Sequence, residues 1–555
     1  MSAALENAAS MPPGTILLSE VVLHPVPTSD PNDPLNWSTW RKYTNFSLIL
    51  VYVFFTFVLL NIGSVAYSSY VQDLAVSYSD YNTSIALVYA GLAVGCWAFI
   101  PFVYRYGRRP FYLISLLIQL ASAVWAANMT TSREFLATNA LIGFGGAISE
   151  TLVQITLADT FFVHQYATMN ALYLFVQATG SFLGPVAGGY IISGMGWRWI
   201  FWWAAIFIGA TFITGFFLAE ETSYVPSLTA HPLQHSQDTT TQNFEEEKKA
   251  DIEAIDATDA GSVTLPKNTR KPLRQRLALI TRNDVHIKPH FYQPFSMLIR
   301  IPAIMYVTLT FGSLLSWYSA MFSVAASMLP LPPYNFTAVQ VGLFFLAPFV
   351  GAVIATPLTG PLSDWMILRL AKRNNGVYEP EMRLYPAFIG GILTMAGILM
   401  FGMGIVYGAP WILLAVGMAI YTLGFISCTD IALAYLIDSY VNIIGDAMVG
   451  IGTVRNLFAV IVLFGLGPWI EENLWRIKNW HLSLCAAAAV SFNLVRTTLE
   501  PALLATLAQV FRYIRLTLRK VRMFCVFNPM PCSVIHELST SSAENYATEE
   551  DILVS

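Results

Sequence analysis

The stretch GSFLGPVAGG, which begins at Gly180, lies inside an apolar run long enough to cross a bilayer. Gly180, Gly184 and Gly188 recur every four residues, so they share one face of a helix, and Gly189 widens that face. Glycine allows a neighbouring membrane helix to approach closely, and Pro185 removes a helical hydrogen bond and favours a bend. The stretch predicts a bent membrane helix in a close contact. A static helix contact would use the same residues.

Apolar segments of this length recur along most of the chain. The sequence has 555 residues, of which 55% are hydrophobic and 12% are charged, and its mean hydropathy is +0.55. A helix needs about 20 apolar residues to span a membrane, and about twelve such spans are expected, the twelfth being doubtful. Numbered 1 to 12 in chain order, they cover residues 44–66, 84–104, 111–128, 136–158, 168–193, 197–219, 298–322, 339–361, 384–406, 411–436, 446–469 and 482–506. The fold class is therefore an all-α membrane protein.

The distribution of Lys and Arg orients these spans. Through Arg383, every Lys and Arg except Arg133 and Arg198 falls on one side of the predicted topology. Because basic residues favour the cytoplasmic side, the N-terminus is expected inside the cell. The first 42 residues have no pattern of a removable signal peptide. Possible glycosylation sequons fall on the outer side at Asn82, Asn128 and Asn335.

A polar break divides the spans into two halves. We expect a cytoplasmic N-terminal segment (1–42), an N-terminal six-helix half (43–219), a cytoplasmic disordered linker (220–296), a C-terminal six-helix half (297–506) and a cytoplasmic tail (507–555). Span 4 carries Gly145 and Asp159 at the same spacing as Gly424 and Asp438 in span 10. The halves therefore look like repeats related by a pseudo-twofold axis.

Duplicated halves with a site between them are the plan of secondary transporters. The sequence contains no GxxxxGK[ST] loop for phosphate binding and no HExxH or GxSxG motif. We therefore expect neither ATP hydrolysis nor any other enzyme activity, and no cofactor, metal site or nucleic-acid partner. The expected partners are a small-molecule substrate, protons and the lipid bilayer.

Several short motifs point to one family. They are DPLNWSTWRK from Asp33, YGRRP from Tyr106, GPLSDW from Gly360, the glycine stretch of span 5, and SETLVQITLADTFFVHQYATMN from Ser149. Together they resemble the major facilitator superfamily, and within it the fungal twelve-span drug:proton antiporter-like group. The last motif is similar to transporters of histidinol-like amines and polyamines.

The resemblance implies a major facilitator fold in a monomer that moves small organic cations, polyamines or drugs across the plasma membrane. It implies coupling to protons by alternating access, with the glycine stretch sealing a seam between spans 5 and 8 and moving against the other half. The span 5 motif favours export, whereas the span 4 segment also permits uptake. The alternative is a non-transporting nutrient sensor on the same fold.

Three positions depart from the family pattern, and one of them is Ile100, where the leading glycine of the motif between spans 2 and 3 would fall. The acidic residue of the motif between spans 2 and 3 would fall at Tyr104, and a buried arginine that many relatives carry in span 4 would fall at Asn139. Proton coupling through that arginine is therefore not implied for this chain.

Ionisable side chains inside spans are costly and mark functional sites. Glu150 in span 4 is the first candidate, because it could exchange a proton for a cationic substrate; a hydrogen-bonded carboxyl with a structural role is the alternative. Asp430 in span 10 stands one position beyond the equivalent of Glu150 and could face it. Aromatic faces also attract organic cations. The other candidates for the substrate or proton site are Asn61, Gln154, Gln177, Asn456, Trp317 and Tyr318.

Charges at the cytoplasmic ends of the spans are candidates for a gate. The arginines of YGRRP could hold the halves together through carbonyls or acidic side chains, although plain anchoring on the positive side uses the same residues. Arg455 in span 11 needs a partner, and Asp430 and Asp446 are available. The expected gating residues are Arg105, Arg108, Arg109, Asp159, Asp364 and Arg455.

Overall fold

The computed structural model describes residues 16–17, 33–161, 163–222, 276–278, 280–281, 286–359, 361–373, 377–378, 380–439 and 444–473. Within this part of the chain, eleven helical segments are long and apolar enough to cross a membrane. They match predicted spans 1 to 11, which confirms the all-α fold class. The predicted twelfth span and the tail after it lie outside the described residues.

The first half contains spans 1 to 6. Two of these spans consist of two helices, because a short turn interrupts each of them. Span 1 is Thr39–Ile62 and Tyr67–Leu74, span 2 is Tyr78–Tyr106, span 3 is Arg109–Asn128, span 4 is Ser132–Gly146 and Ile148–Thr160, span 5 is Val163–Met195 and span 6 is Arg198–Leu218. The 3-10 turn Gly63–Ala66 joins the two helices of span 1, and another, Pro34–Asn36, precedes them.

Local sequence explains where several of these helices begin. Ser77 accepts from the backbone N–H of Asp80, whose carboxylate accepts from the N–H of Ser77, so the pair forms a capping box at the start of span 2. Thr131 and Glu134 repeat the arrangement at the start of span 4. These reciprocal bonds satisfy backbone donors that have no partner within the helix.

The second half contains spans 7 to 11 and two further helices. Span 7 is Pro302–Met328, span 8 is Ala338–Phe344 and Leu346–Thr359, span 9 is Ala387–Val406, span 10 is Trp411–Ser439 and span 11 is Ile444–Asn473. The further helices are Ile287–Arg300, before span 7, and Pro361–Arg373, after span 8; the 3-10 turn Pro380–Leu384 precedes span 9. The two-residue strands Ile16–Leu17 and Val377–Tyr378 pair antiparallel.

Helix Ile287–Arg300 was not predicted from the sequence, which placed residues up to 296 in a disordered linker. The indole Nε1 of Trp97 in span 2 donates to the carbonyl of Phe291, 3.2 Å away, and a Cβ on Gly450 in span 11 would lie 2.9 Å from the carbonyl oxygen of Pro294. The helix therefore bridges the two halves. Polar residues interrupt its apolar ones, which lie mainly on one face of the helix, so a search for continuous apolar runs misses it.

The spans reverse direction at each connection, so their ends alternate between two sides of the molecule. We call the side on which span 1 begins the near side and the other the far side. The near side thus also holds the ends of spans 2, 4, 6, 8 and 10 and the start of span 7.

The three regularly spaced glycines of span 5 contact span 1 of the same half. A Cβ on Gly180 would lie 2.6 Å from the carbonyl oxygen of Phe54, and the Cβ positions of Gly184 and Gly188 meet the next turns of span 1. The expectation that this face moves against the other half is therefore wrong for these three residues. Their spacing identifies a shared face but not the helix that covers it.

Gly189 instead faces the second half. A Cβ there would lie 2.6 Å from the carbonyl oxygen of Ala338, and a Cβ on Gly342 would lie 2.7 Å from that of Pro185. Spans 5 and 8 thus approach backbone to backbone on the far side. Gly189 turns toward span 8 because each residue rotates the helix face by about 100°.

Candidate functional site

A cavity of about 180 Å³ lies between the two halves. Its walls come from spans 1, 2, 4, 5 and 6 on one side and from spans 7, 8, 10 and 11 on the other. Among the residues that the structure describes, the charged side chains lining it are Glu150, Asp430 and Arg455. Apolar and aromatic side chains form most of the remaining surface, so these three charges dominate its electrostatics.

Glu150 and Arg455 form a buried ion pair between the halves. The Nη2 of Arg455 lies 2.7 Å from the Oε2 of Glu150, and the Nδ2 of Asn456 donates to the same oxygen at 2.8 Å. The guanidinium also lies 4.4 Å from the ring centroid of Phe311. Asp430 and Asp446 were the partners expected for Arg455, and neither is its partner here.

Asp430 has a different environment in the same cavity. Its Oδ2 accepts a hydrogen bond from the Oγ1 of Thr359 at 3.2 Å. Its Oδ1 is buried and has no hydrogen-bond partner among the described residues. A buried carboxylate oxygen without a partner is costly. Asp430 is therefore the acidic group of the cavity whose charge the described residues leave uncompensated.

Aromatic rings stand beside these charges. The ring of Tyr318 stacks on Phe425, with centroids 5.5 Å apart and planes 9° from parallel, and Phe182 meets Tyr318 edge-on at 6.1 Å. Phe425 precedes Asp430 on span 10. Aromatic faces attract organic cations, most strongly where water is excluded.

On the far side, hydrogen bonds join spans 2 and 7. The Oγ of Ser319 donates to the hydroxyl of Tyr89 at 2.7 Å, and the Oγ of Ser323 donates to the Oδ1 of Asn82. Asn82 is buried, and its Nδ2 donates to the carbonyl of Tyr78. The expected glycosylation at Asn82 is therefore contradicted, because the acceptor amide lies inside a helix contact. The other two sequons, at Asn128 and Asn335, are exposed on this side.

On the near side, Tyr104, His290 and Asp446 form what we call the near-side cluster. The ring of Tyr104 in span 2 stacks on His290 at 4.4 Å between centroids and 22° between planes. The Nδ1 of His290 lies 3.1 Å from the Oδ1 of Asp446 in span 11. Gly445 leaves room for Tyr104, since a Cβ there would lie 2.4 Å from the Tyr104 hydroxyl. The cluster therefore joins the two halves below the cavity.

The loop between spans 2 and 3 binds a carboxylate from the start of the linker. Glu221 accepts from the backbone N–H of Arg108 at 3.0 Å and of Arg109 at 3.1 Å. Gly107 has a φ of +90° and a Cβ there would lie 2.6 Å from the Glu221 Oε2, so the loop requires glycine. Nothing in the sequence pattern distinguishes Glu221 from the other acidic residues of the linker.

The arginines of this loop are held within the first half and by the linker. Arg108 pairs with Asp159, and burial lowers the pKa of the Arg108 guanidinium while the nearby Glu221 opposes that effect. The guanidinium of Arg109 donates to the carbonyls of Phe216 and Leu277.

Comparison of the chain with known protein families agrees with this geometry. The model of the Major Facilitator Superfamily matches residues 48–463, which is most of the chain. The chain belongs to the major facilitator superfamily. Members of this superfamily are transporters, not enzymes.

Two fungal relatives of the superfamily match along most of their length. One is an uncharacterized MFS-type transporter of Schizosaccharomyces pombe, 29% identical over 480 residues, covering 82% of this chain and 83% of the relative. The other is Protein HOL1 of Saccharomyces cerevisiae, 29% identical over 526 residues, covering 86% and 88%.

Solved structures support the same fold. The proton:xylose symporter XylE, bound to 6-bromo-6-deoxy-D-glucose, is similar with a TM-score of 0.54 and 14% identity, over 83% of this chain and 96% of that one. The human organic anion transporter MFSD10 is similar with a TM-score of 0.52 and 14% identity, over 82% and 99%. At this identity the likeness concerns the major facilitator fold.

The structure brings together many of the candidate residues of this superfamily member. Glu150, Asp430, Asn61, Gln177, Tyr318 and Arg455 line the cavity, as does Asn139. Asn456 does not line the cavity itself but donates a hydrogen bond to Glu150, which does. Gln154 and Trp317 lie outside its lining; Gln154 is buried, and Trp317 packs against the apolar core.

The expected gating residues of the superfamily motif have a different arrangement here. Arg108 and Asp159 pair within the first half, and the Arg105 guanidinium lies 5.7 Å from the ring of Tyr106. The side chain of Asp364 lies outside the described residues. On the near side, Tyr104 contacts His290 of the second half instead, at the position where the family pattern has an acidic residue.

Tyr89 and Ser319 were missed as cavity residues. They face the cavity and bind each other across the two halves. A tyrosine and a serine in apolar spans show no pattern that separates them from residues that only pack between helices. Only the spatial contact identifies them.

Proposed function

We propose that this protein is a proton-coupled secondary transporter of small organic cations, the class to which amines, polyamines and cationic drugs belong. The observation that carries the proposal is Asp430, a cavity carboxylate with a buried oxygen that lacks a partner among the described residues. A cation or a proton at this oxygen would remove the cost of the buried charge.

Charge and shape favour a cationic substrate over an anionic one. The positive charge of Arg455 is already matched by Glu150, whereas the negative charge of Asp430 is not matched by a described cation. The stacked rings of Tyr318 and Phe425 add a surface that attracts organic cations. An anion in this cavity would face an unmatched carboxylate and aromatic faces of the same sign.

The two-half architecture supports alternating access. The cavity lies between halves that contact each other on the far side through Asn82 and Ser323 and on the near side through the near-side cluster. A transporter of this kind opens one contact at a time around a central site. The excess of Lys and Arg on the near side supports a cytoplasmic near side, and we propose the plasma membrane as the location.

The test is transport by the purified full chain in lipid vesicles with an imposed pH gradient. Radiolabelled tetraethylammonium flux is measured in both directions for the parent and for Asp430→Asn. We expect the pH gradient to drive flux in the parent, and Asp430→Asn to lose at least about tenfold of it, because an amide cannot compensate a cation or carry a proton.

Glu134→Gln is the matched control. It also converts an acid to an amide, but on the exposed far-side end of span 4, and glutamine preserves the capping box. It is expected to transport like the parent. Flux that ignores the pH gradient, or an Asp430→Asn protein as active as the parent, would contradict the proposal.

A further inference from the structure

We infer that the cavity accepts one positive charge at a time, so that the transported organic cation is monovalent and exchanges for one proton. This inference rests on the proposed function and narrows it: it adds the stoichiometry of the exchange and limits the substrate to cations with one positive charge, which excludes polyamines that carry two or more.

The charges that line the cavity give the first step. Among the described residues, they are Glu150, Arg455 and Asp430. Glu150 and Arg455 lie 2.7 Å apart and cancel each other. Asp430 remains, so the described residues give the empty cavity one net negative charge.

The contacts on both sides of the cavity give the second step. The halves touch through Asn82 and Ser323 on the far side and through Tyr104 and His290 on the near side. In the closed state that alternating access requires, both sets of contacts are in place and the cavity is cut off from bulk water, so an uncompensated charge in it is very costly. The least costly closed states are those with no net charge.

One bound proton or one bound monovalent cation produces such a neutral state. The empty cavity holds a net charge of minus one, and a divalent cation, or a proton together with a monovalent cation, brings it to plus one. The halves should therefore rearrange when Asp430 holds either a proton or a cation. They should rearrange slowly when it holds neither.

The exchange balances in atoms and charge. On one side, the Asp430 carboxyl releases its proton to water and the cationic group of the substrate takes its place beside the carboxylate. On the other side, the cation leaves and the carboxylate takes a proton from water. One cation and one proton thus move in opposite directions, and no net charge crosses the membrane.

A divalent cation would need a second carboxylate. Glu150 could serve only by leaving Arg455, and the guanidinium would then remain buried without its partner, which is strongly unfavourable. The same cost applies whatever the distance between the two positive groups of the substrate. Discrimination should therefore follow charge and not length.

The test compares two permanently charged probes on the reconstituted full chain. Pentyltrimethylammonium has one positive charge, and pentamethonium has two on the same five-carbon chain. Neither can lose its charge by releasing a proton. Radiolabel uptake and proton release are measured together, with and without a membrane potential set by potassium and valinomycin.

We expect pentyltrimethylammonium and protons to exchange one for one, with a rate that changes less than about twofold when the potential is imposed. Pentamethonium should be at least about tenfold slower, a factor that corresponds to about 1.4 kcal/mol. Both comparisons use the parent protein, so no variant has to fold.

The possible failures are distinguishable. If pentamethonium moves as fast as pentyltrimethylammonium, or if flux of the monovalent probe follows the membrane potential, the charge inference is overturned while cation transport stands. If neither probe moves and tetraethylammonium does not move either, the proposed function fails as well. If only tetraethylammonium moves, the inference stands only if its exchange is one for one and independent of the potential.

Discussion

At the scale of single residues, the ion pair of Glu150 and Arg455 stabilises the protein only when both charges are present. Replacing one member leaves the other charge buried, which typically costs about 3–5 kcal/mol. We therefore expect Glu150→Gln to lower the Tm of the detergent-solubilised protein, measured by thermal unfolding. The hydrogen bond from Asn456 would survive, because glutamine keeps an acceptor oxygen.

The double variant Glu150→Gln/Arg455→Gln is the matched comparison. It removes both charges and leaves two amides able to bind each other, so much of the lost Tm should return. If the loss of Tm in the double variant equals the sum of the losses in Glu150→Gln and Arg455→Gln, the two charges do not stabilise each other.

The sequence identifies these charges but not their pairing. Glu150, Asp430 and Arg455 stand out because ionisable residues are rare in apolar spans. Which acid meets the arginine depends on the rotation of spans 4, 10 and 11 about their axes, and one residue of rotation moves a side chain by about 100°. That rotation follows from packing between elements far apart in the chain, which the sequence pattern does not contain.

At the scale of elements, helix Ile287–Arg300 acts as a bridge between spans 2 and 11. Cys96 in span 2 reports on this contact because it is buried and lies close to the Cβ position of Gly452 in span 11. We expect His290→Ala to raise the rate at which N-ethylmaleimide modifies Cys96 by roughly tenfold. A hydrogen bond to a charged group contributes about 1.5–3 kcal/mol, and about 1.4 kcal/mol corresponds to tenfold.

The measurement uses a full chain in which Cys96 is the cysteine retained. Lys288→Ala is the matched control, since Lys288 is an exposed cationic residue on the same helix. Asp446→Ala should raise the modification rate as His290→Ala does, and the double variant should add little to either. Unchanged modification in both single variants would show that the near-side cluster does not hold spans 2 and 11 together.

The membrane-spanning helices were more predictable from the sequence than the contacts of single residues. Eleven spans follow from continuous apolar length alone, because crossing a bilayer imposes that length. Helix Ile287–Arg300 was not predicted because it has apolar residues on one face only. The glycines of span 5 were correctly read as a close contact, yet Gly180, Gly184 and Gly188 face span 1 while Gly189 faces span 8. Periodicity gives a face, and only the packed structure gives its neighbour.

At the scale of the whole molecule, the cavity lies between two sets of contacts on opposite sides. The far-side set includes the buried bond between Asn82 and Ser323, and one further bond, between Tyr89 and Ser319, faces the cavity itself. A substrate that binds either of those two hydroxyl groups competes directly with a contact between the halves. If the far side opens as proposed, occupancy of the cavity and that opening are linked through the same atoms.

This link makes the far-side contact a place where transport can be stopped reversibly. We replace Asn82 and Ser323 with cysteine in a chain whose five native cysteines are changed to serine, and measure tetraethylammonium flux before oxidation, after oxidation and after reduction. Oxidation should tie spans 2 and 7 together and reduce flux at least about tenfold, because the far side can no longer open, and a reductant should restore it. The controls are the single variants Asn82→Cys and Ser323→Cys in the same background, which cannot form the disulfide; oxidation should leave their flux unchanged. Full flux through the oxidised far-side pair would show that the halves do not separate there, and alternating access about this cavity would have to be abandoned.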